Sequence, residues 1–212
     1  MQINRDQLLE DGYLVLKQVI PLSQLENLRA SYEQLVEKQK AIWSKDRQPN
    51  VPLGGVWETA AQPRLILQQS PLADLINQYT ASAIEIWLHP NTQGVSSELL
   101  NIPDAAVTEM MMMCNPVIDR GSAAWHRDLH PIDTAPLQGY IDDIIETGPR
   151  YIQWNIPLYD DDVLWVVPGS HLRLNTNNEN EQLLANPRTP LPDGIQTHLK
   201  AGDGVVYILP IL

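Results

Sequence analysis

Apolar residues recur at helical spacing through the first ninety positions, then gather into short alternating runs from about residue 95. Asn4 is placed to cap a short helix that Gly12 ends, and residues 13–20 read as a strand. After Pro21, Ser23-Gln24-Leu25-Glu26 has capping-box spacing and opens a helix with Leu25, Leu28, Tyr32, Leu35 and Val36 on one core-facing stripe. Residues 44–64, with Pro49, Pro52, Gly54, Gly55 and Pro63, read as loops. Ser70-Pro71 starts a second helix whose apolar face is Leu72, Leu75, Ile76, Tyr79, Ala83 and Ile86, and His89-Pro90-Asn91 ends it.

Strands are expected at 106–114, 151–158, 163–167, 195–199 and 204–209. Residues 175–194 are too polar for a core element and too long for a plain turn. A lid over a site and a surface excursion both fit that segment. Strands gathered behind N-terminal helices predict an α+β, mainly β fold around a β-sandwich or jelly-roll barrel. With no internal repeat or linker, residues 1–212 read as a single domain.

Composition narrows the function. The 212 residues are 43% hydrophobic, enough for one sizeable core, and carry a formal net charge of −12. Such a surface repels nucleic acid and anionic membranes, so neither is expected as a partner. Cys114 is the only cysteine, which excludes an intrachain disulfide framework and a thiolate zinc site. The first residues show no hydrophobic signal segment and no apolar run reaches spanning length, which predicts a cytoplasmic protein.

The candidate chemistry lies in Trp125-His126-Arg127-Asp128. In extended backbone His126 and Asp128 project to the same side and supply two of the three protein ligands of a facial iron(II) site. The third is expected from a strand far along the chain, but the sequence passes Gly202-Asp203-Gly204 and reaches Leu212 with no histidine after it. An exposed histidine with an aspartate neighbour in a loop is the competing reading of so short a pattern. The preceding loop leads into Trp125, which is placed to shield one side of a site from water. His130 is followed at once by Pro131, His198 is expected to face solvent, and His89 suits a helix end.

Four segments in order now resemble the phytanoyl-CoA dioxygenase family of iron(II)- and 2-oxoglutarate-dependent oxygenases. They are Asp11-Gly12-Tyr13-Leu14-Val15-Leu16, Trp125-His126-Arg127-Asp128-Leu129-His130, Val167-Pro168-Gly169-Ser170-His171 and Ala201-Gly202-Asp203-Gly204. The resemblance implies a double-stranded β-helix, a cupin-like jelly-roll barrel, with iron held by His126, Asp128 and a later histidine. That histidine and a further arginine for the distal carboxylate of 2-oxoglutarate are expected just beyond Leu212, so the domain is expected to lack its C-terminal end. The resemblance gives His171 a structural role in its turn.

By the same resemblance Met112 and Trp154 fall where the family packs side chains on 2-oxoglutarate; adaptable core packing competes for both. Asn115 or Gln153 is placed to donate a hydrogen bond to a cofactor carboxylate. The implied reaction is hydroxylation or desaturation of a small organic substrate by O2, with release of succinate and CO2. Related halogenating enzymes carry a small residue in place of the carboxylate, so the retained Asp128 points away from halogenation. Two other classes fit the residues: a cupin-like binding protein without turnover, and a zinc hydrolase using the same imidazole and carboxylate.

Overall fold

The computed structural model describes residues 3–46, 64–66, 73–114, 121–129 and 136–212. Their contacts divide into two compact units: Met1–Pro21, Gly94–Ala105 and Ala124–Leu212 in one, Leu22–Gln93 and Ala106–Ala123 in the other.

The first unit is built around a three-stranded sheet. Helix α1 (Arg5–Asp11) opens as expected: the Asn4 side chain accepts from the Gln7 amide, and Gly12 closes it in the left-handed region at φ 82°. Strand β1 (Tyr13–Leu16) pairs antiparallel with β7 (Gly204–Ile208), which pairs on its other edge with β4 (Ile152–Asn155). Tyr13 and Gln153 both stand opposite Tyr207, and Trp154 stands opposite Val206. Alternation then sorts the sheet into two faces. Leu14, Leu16, Val206, Ile208, Ile152 and Trp154 pack with Leu8 of α1 and with Val95 and Leu99 of α4 (Val95–Leu100). Tyr13, Val15, Val205 and Tyr207 pack instead with Leu164, Val166, Leu199 and Ile211. Val166 belongs to β5 (Trp165–Val166), which pairs with β6 (Ile195–Gln196).

Several expected strands are shorter than their apolar runs. β1 stops at Leu16 because Asp203 draws the next residues into a turn: its carboxylate accepts from Lys17 Nζ at 2.8 Å and from the Gln18 amide at 3.0 Å. Gln18 takes a positive φ of 53° to make that contact. Beside β5, Asp161 accepts from the Val163 amide at 3.0 Å, a side-chain bond where a ladder bond was expected.

Three helices in this unit were not anticipated: α4, where short strands and turns were expected to begin, and two more. α5 (Leu137–Thr147) buries Ile141 and packs Ile144, three positions on, against the sheet core, with Gly148 ending it. α6 (Asn177–Ala185) occupies the segment read as lid or excursion, and its Thr176/Glu179 capping box is complete. The last two had a sequence signal, in the Leu137, Tyr140, Ile141, Ile144 spacing and in Thr176-x-x-Glu179.

In the second unit α2 (Leu22–Asp46) begins at Leu22, so Ser23 lies inside its first turn and is not the cap. Its stripe is as expected: Leu25, Leu28 and Leu35 are buried, and Tyr32 and Val36 pack beside Leu35. β2 (Arg64–Ile66), at the end of a stretch read as loop, pairs with β3 (Met111–Met113). The expected second helix is broken: a 3-10 turn at Ala73–Leu75 precedes α3 (Ser82–Glu85). Thr80 Oγ donates to the Leu75 carbonyl and Asn77 Oδ1 takes the Tyr79 amide, so side chains occupy groups that a continuous helix would pair. Tyr79 is consequently 71% exposed instead of core-facing.

Among the described residues the strands form sheets of three, two and two and close no barrel, so the fold is a mixed helix-and-sheet one. No helix among them is long and apolar enough to cross a membrane.

Candidate metal and cosubstrate site

Residues 121–129 run without regular secondary structure. The His126 Nδ1–H donates to the Ala124 carbonyl at 2.8 Å, two residues back on its own segment. That bond leaves Nε2 as the ring nitrogen turned to Asp128, and in the neutral ring Nε2 carries the lone pair that a metal takes. Nε2 lies 3.4 Å from Asp128 Oδ1. Two electron-pair donors facing each other at that distance repel unless a proton or a cation joins them. Ligands at right angles around an ion about 2.1 Å away stand about 3 Å apart, so the pair fits one edge of an iron site. The side chains are 54% and 28% exposed, which leaves the edge open to an incoming ligand. Among the described residues no third histidine, cysteine, aspartate or glutamate joins them in a cluster.

Arg127, between the two, is held by partners of its own. Its Nη1 donates to the Ser170 carbonyl at 2.7 Å and to the Pro210 carbonyl, while Nη2 and Nε both reach Asn175 Oδ1, at 2.6 and 3.1 Å. Burial pushes the guanidinium down to about 10, with Arg173 adding to the fall and Glu179 opposing it, so it stays cationic at neutral pH. Trp125 is anchored as well, its amide to the Pro187 carbonyl at 2.8 Å and its indole to the Thr189 carbonyl at 3.0 Å. Trp125 therefore packs with Val167, Leu191 and Leu212. The segment around α6 is thus tied to the residues flanking His126. Glu179 makes it firm, accepting from Arg173 at 2.7 and 2.8 Å and from the Thr176 amide at 2.7 Å.

The Val167-Pro168-Gly169-Ser170-His171 turn is a junction. Val167 donates to the Leu212 carbonyl at 2.7 Å, Ser170 Oγ accepts from the Leu212 amide at 2.8 Å, and Gly169 donates to the Asp11 carbonyl at 2.8 Å. His171 is fully buried, and its Nε2–H donates to the Leu9 carbonyl at 3.1 Å. A Cβ on Gly12 would stand 2.4 Å from His171 Nδ1, so the Asp11-Gly12 motif needs a glycine there for space as well as for its positive φ. The Gly202-Asp203-Gly204 motif is equally structural. Burial pushes the Asp203 carboxyl up, but the bonds from Lys17, Gln18 and Lys200 outweigh that and hold it below its ordinary value.

Two of the residues expected to meet 2-oxoglutarate lie on different faces of the first unit's sheet. Gln153 and Trp154 are neighbours on β4 and so point to opposite faces of the sheet. Trp154 lies in the helix-packed core and donates to Ser96 Oγ at 2.9 Å; Gln153 donates to Tyr207 Oη at 2.7 Å. Met112 is fully buried in the second unit against Leu35 and Ala83. Asn115 and His130 lie outside the described residues. His198 is exposed, and His89 Nδ1 accepts from the Asn91 amide at 3.1 Å. Sequence reading missed Arg127, which it passed over as the spacer of the His-x-Asp pattern.

The arrangement of elements is similar to that of several solved structures. AviO1 from Streptomyces viridochromogenes Tue57 superposes with a TM-score of 0.58 at 16% identity, over 100% of this chain and 86% of that one. EvdO2 from Micromonospora carbonacea var. aurantiaca, solved with 2-oxoglutarate, gives 0.55 at 17% identity over 100% and 83%. The non-heme alpha ketoglutarate dependent epimerase SnoN from nogalamycin biosynthesis gives 0.57 at 16% identity over 98% and 71%. At such identities the likeness is one of fold. No curated protein matches the sequence. The family model for phytanoyl-CoA dioxygenase (PhyH) matches residues 8–207, from α1 through β7, and on that match the chain belongs to the phytanoyl-CoA dioxygenase family.

Proposed function

We propose that this protein is an iron(II)- and 2-oxoglutarate-dependent oxygenase that hydroxylates a small organic substrate. The observation that carries the reading is the His126–Asp128 apposition, with the Nδ1 bond to Ala124 turning Nε2 to the carboxylate at 3.4 Å. His126 and Asp128 hold the metal; iron with 2-oxoglutarate and O2 supplies oxidation of an unactivated C–H bond, with succinate and CO2 as by-products. Asp128 neutralises one unit of metal charge and keeps its position closed to halide. For the cosubstrate carboxylate we propose Gln153, backed by Tyr207, because that face of the sheet is opposite to the helix-packed one. Trp154, on the helix-packed face, then supports β4 from behind. A double-stranded β-helix and a cytoplasmic location go with this reading.

The test is an anaerobic titration of the 212-residue chain with Fe(II) and 2-oxoglutarate, following the visible charge-transfer band of the ternary complex. A saturating band that His126→Ala removes is expected. No band in this chain and none in a version extended beyond Leu212, or an equal band in His126→Ala, sinks the reading.

A further inference from the structure

Neither ligand-bearing residue is placed by a sheet ladder. Residues 121–129 carry no strand, and the segment is held by the Trp125 amide and by side-chain bonds from Trp125 and Arg127. Arg127 is the residue whose peptide groups join the two, and its guanidinium is spread over three partners. These are the Ser170 carbonyl in the Val-Pro-Gly-Ser-His turn, the Pro210 carbonyl just after β7, and Asn175 at the start of the α6 segment. Asn175 is itself oriented, donating to Asn180 Oδ1 at 3.2 Å.

From this geometry we infer that Arg127 is a positioning residue. It bolts the His126–Asp128 segment to the turn at Ser170 and the chain at Pro210, so that metal affinity depends on a guanidinium that never touches the metal. The inference rests on His126 and Asp128 being metal ligands. A planar guanidinium serves three separated acceptors at once, whereas an ammonium on a flexible stem reaches one or two without fixing the backbone angle. Residues that orient metal ligands typically change affinity by 10–100-fold when removed. Asn175 gives a milder handle on the same contact, because losing its carboxamide leaves the guanidinium in place but free to turn.

The experiment is a Co(II) titration of the full chain, read by the visible d–d absorption, in the parent, His126→Ala, Arg127→Lys, Arg127→Met and Asn175→Ala. Lys200→Ala, which breaks only the exposed pair with Asp160, is the control. Thermal melts are recorded alongside. His126→Ala is expected to abolish binding and Lys200→Ala to leave it unchanged. Arg127→Met is expected to weaken Co(II) by tenfold or more, and Asn175→Ala by several-fold. Arg127→Lys should recover part of that loss. A destabilised core variant, Ile208→Val, should melt earlier yet bind Co(II) normally, which separates ligand positioning from general stability. Parent-like affinity in both Arg127→Met and Asn175→Ala overturns the inference while leaving the metal site standing. If Arg127→Met does not fold, parent-like affinity in Asn175→Ala and Arg127→Lys overturns it. Absent binding in the parent chain, or undiminished binding in His126→Ala, overturns the metal-ligand reading itself.

Discussion

The β1–β7–β4 sheet and the Trp125–Asp128 segment lie in one unit but are held by different physics. Every residue of β7 is buried, and alternate side chains feed two apolar clusters, so the sheet is fixed by area removed from water. The ligand segment is fixed by directional bonds from Trp125 and Arg127 to backbone carbonyls and one carboxamide, with His126 half exposed. Apolar burial is tolerant of small shifts and expensive to remove. Directional anchoring is cheap to lose in stability and costly in geometry. Stability and metal binding should therefore respond to different substitutions.

The largest stability effect is expected from Leu8→Ala. Leu8 is fully buried between α1 and the sheet, and large-to-small changes at such sites cost about 2–5 kcal/mol. At about 2–4 °C per kcal/mol for a chain of this size, the melting temperature should fall by roughly 5–20 °C. Metal affinity measured below the melt should not move. A drop of under 2 °C would mean that the sheet is not the seat of stability.

Asp203→Ala should come next. The carboxylate is almost fully buried and serves Lys17 and the amides of Gln18 and Lys200. Its removal leaves two amides without their acceptor, at about 1–3 kcal/mol for such losses. Denaturant unfolding checks it, and a change below about 0.5 kcal/mol would show that water replaces the carboxylate.

The sequence made the sheet half of this comparison legible and the site half only partly so. The caps of α1 and the strands β4 and β7 announce themselves because alternation, capping residues and glycine act over a few neighbouring positions. Strand lengths were overestimated where a distant carboxylate, as at Asp203, claims the backbone amides; no local pattern encodes that partner 185 residues away. α6 was readable from Thr176 and Glu179, but its polarity argued against an element. What stabilises it is the Arg173–Glu179 pair, a buried charge contact that hydropathy cannot register. At the site, the spacing of His126 and Asp128 points to the pair but not to the contacts that hold the segment, which carries no strand. Arg127 is invisible to the same logic, since all three of its partners lie more than forty positions away.

A smaller effect should appear as a pH slope. Burial pushes the His171 imidazole down, and Arg127 lowers it further, against opposing contributions from the Leu9 carbonyl and Asp11. Its Nδ1 is buried without a hydrogen-bond partner, so a second N–H has nowhere to donate. With the folded value below the ordinary 6.5, the unfolded chain takes up the proton first. Stability from this group is thus complete above about pH 6.5 and is lost as pH falls from there through the folded value. Asp203 adds a separate loss at more acid pH, below its ordinary 3.8. Urea unfolding between pH 7.5 and 5 should show the first decline, and His171→Asn should flatten it. A slope unchanged in that variant would assign the titration elsewhere.

The smallest stability effect, and the sharpest contrast with the sheet, is expected from Asp128→Asn. The substitution keeps the shape of the side chain and removes its charge, at a position more than a quarter exposed. Surface changes of that kind usually alter stability by no more than about 0.5 kcal/mol. In the metal-free protein the variant keeps a contact across that gap, because the carboxamide N–H can donate to the Nε2 lone pair of the neutral ring. The melt should therefore stay level or rise slightly, while Fe(II) binding falls by at least tenfold through loss of an anionic ligand. The same hydrogen bond would then occupy the Nε2 electron pair that iron requires. A variant that melts several degrees lower and still binds Fe(II) would reverse the comparison, making Asp128 a structural group and the Trp125–Asp128 segment part of the scaffold.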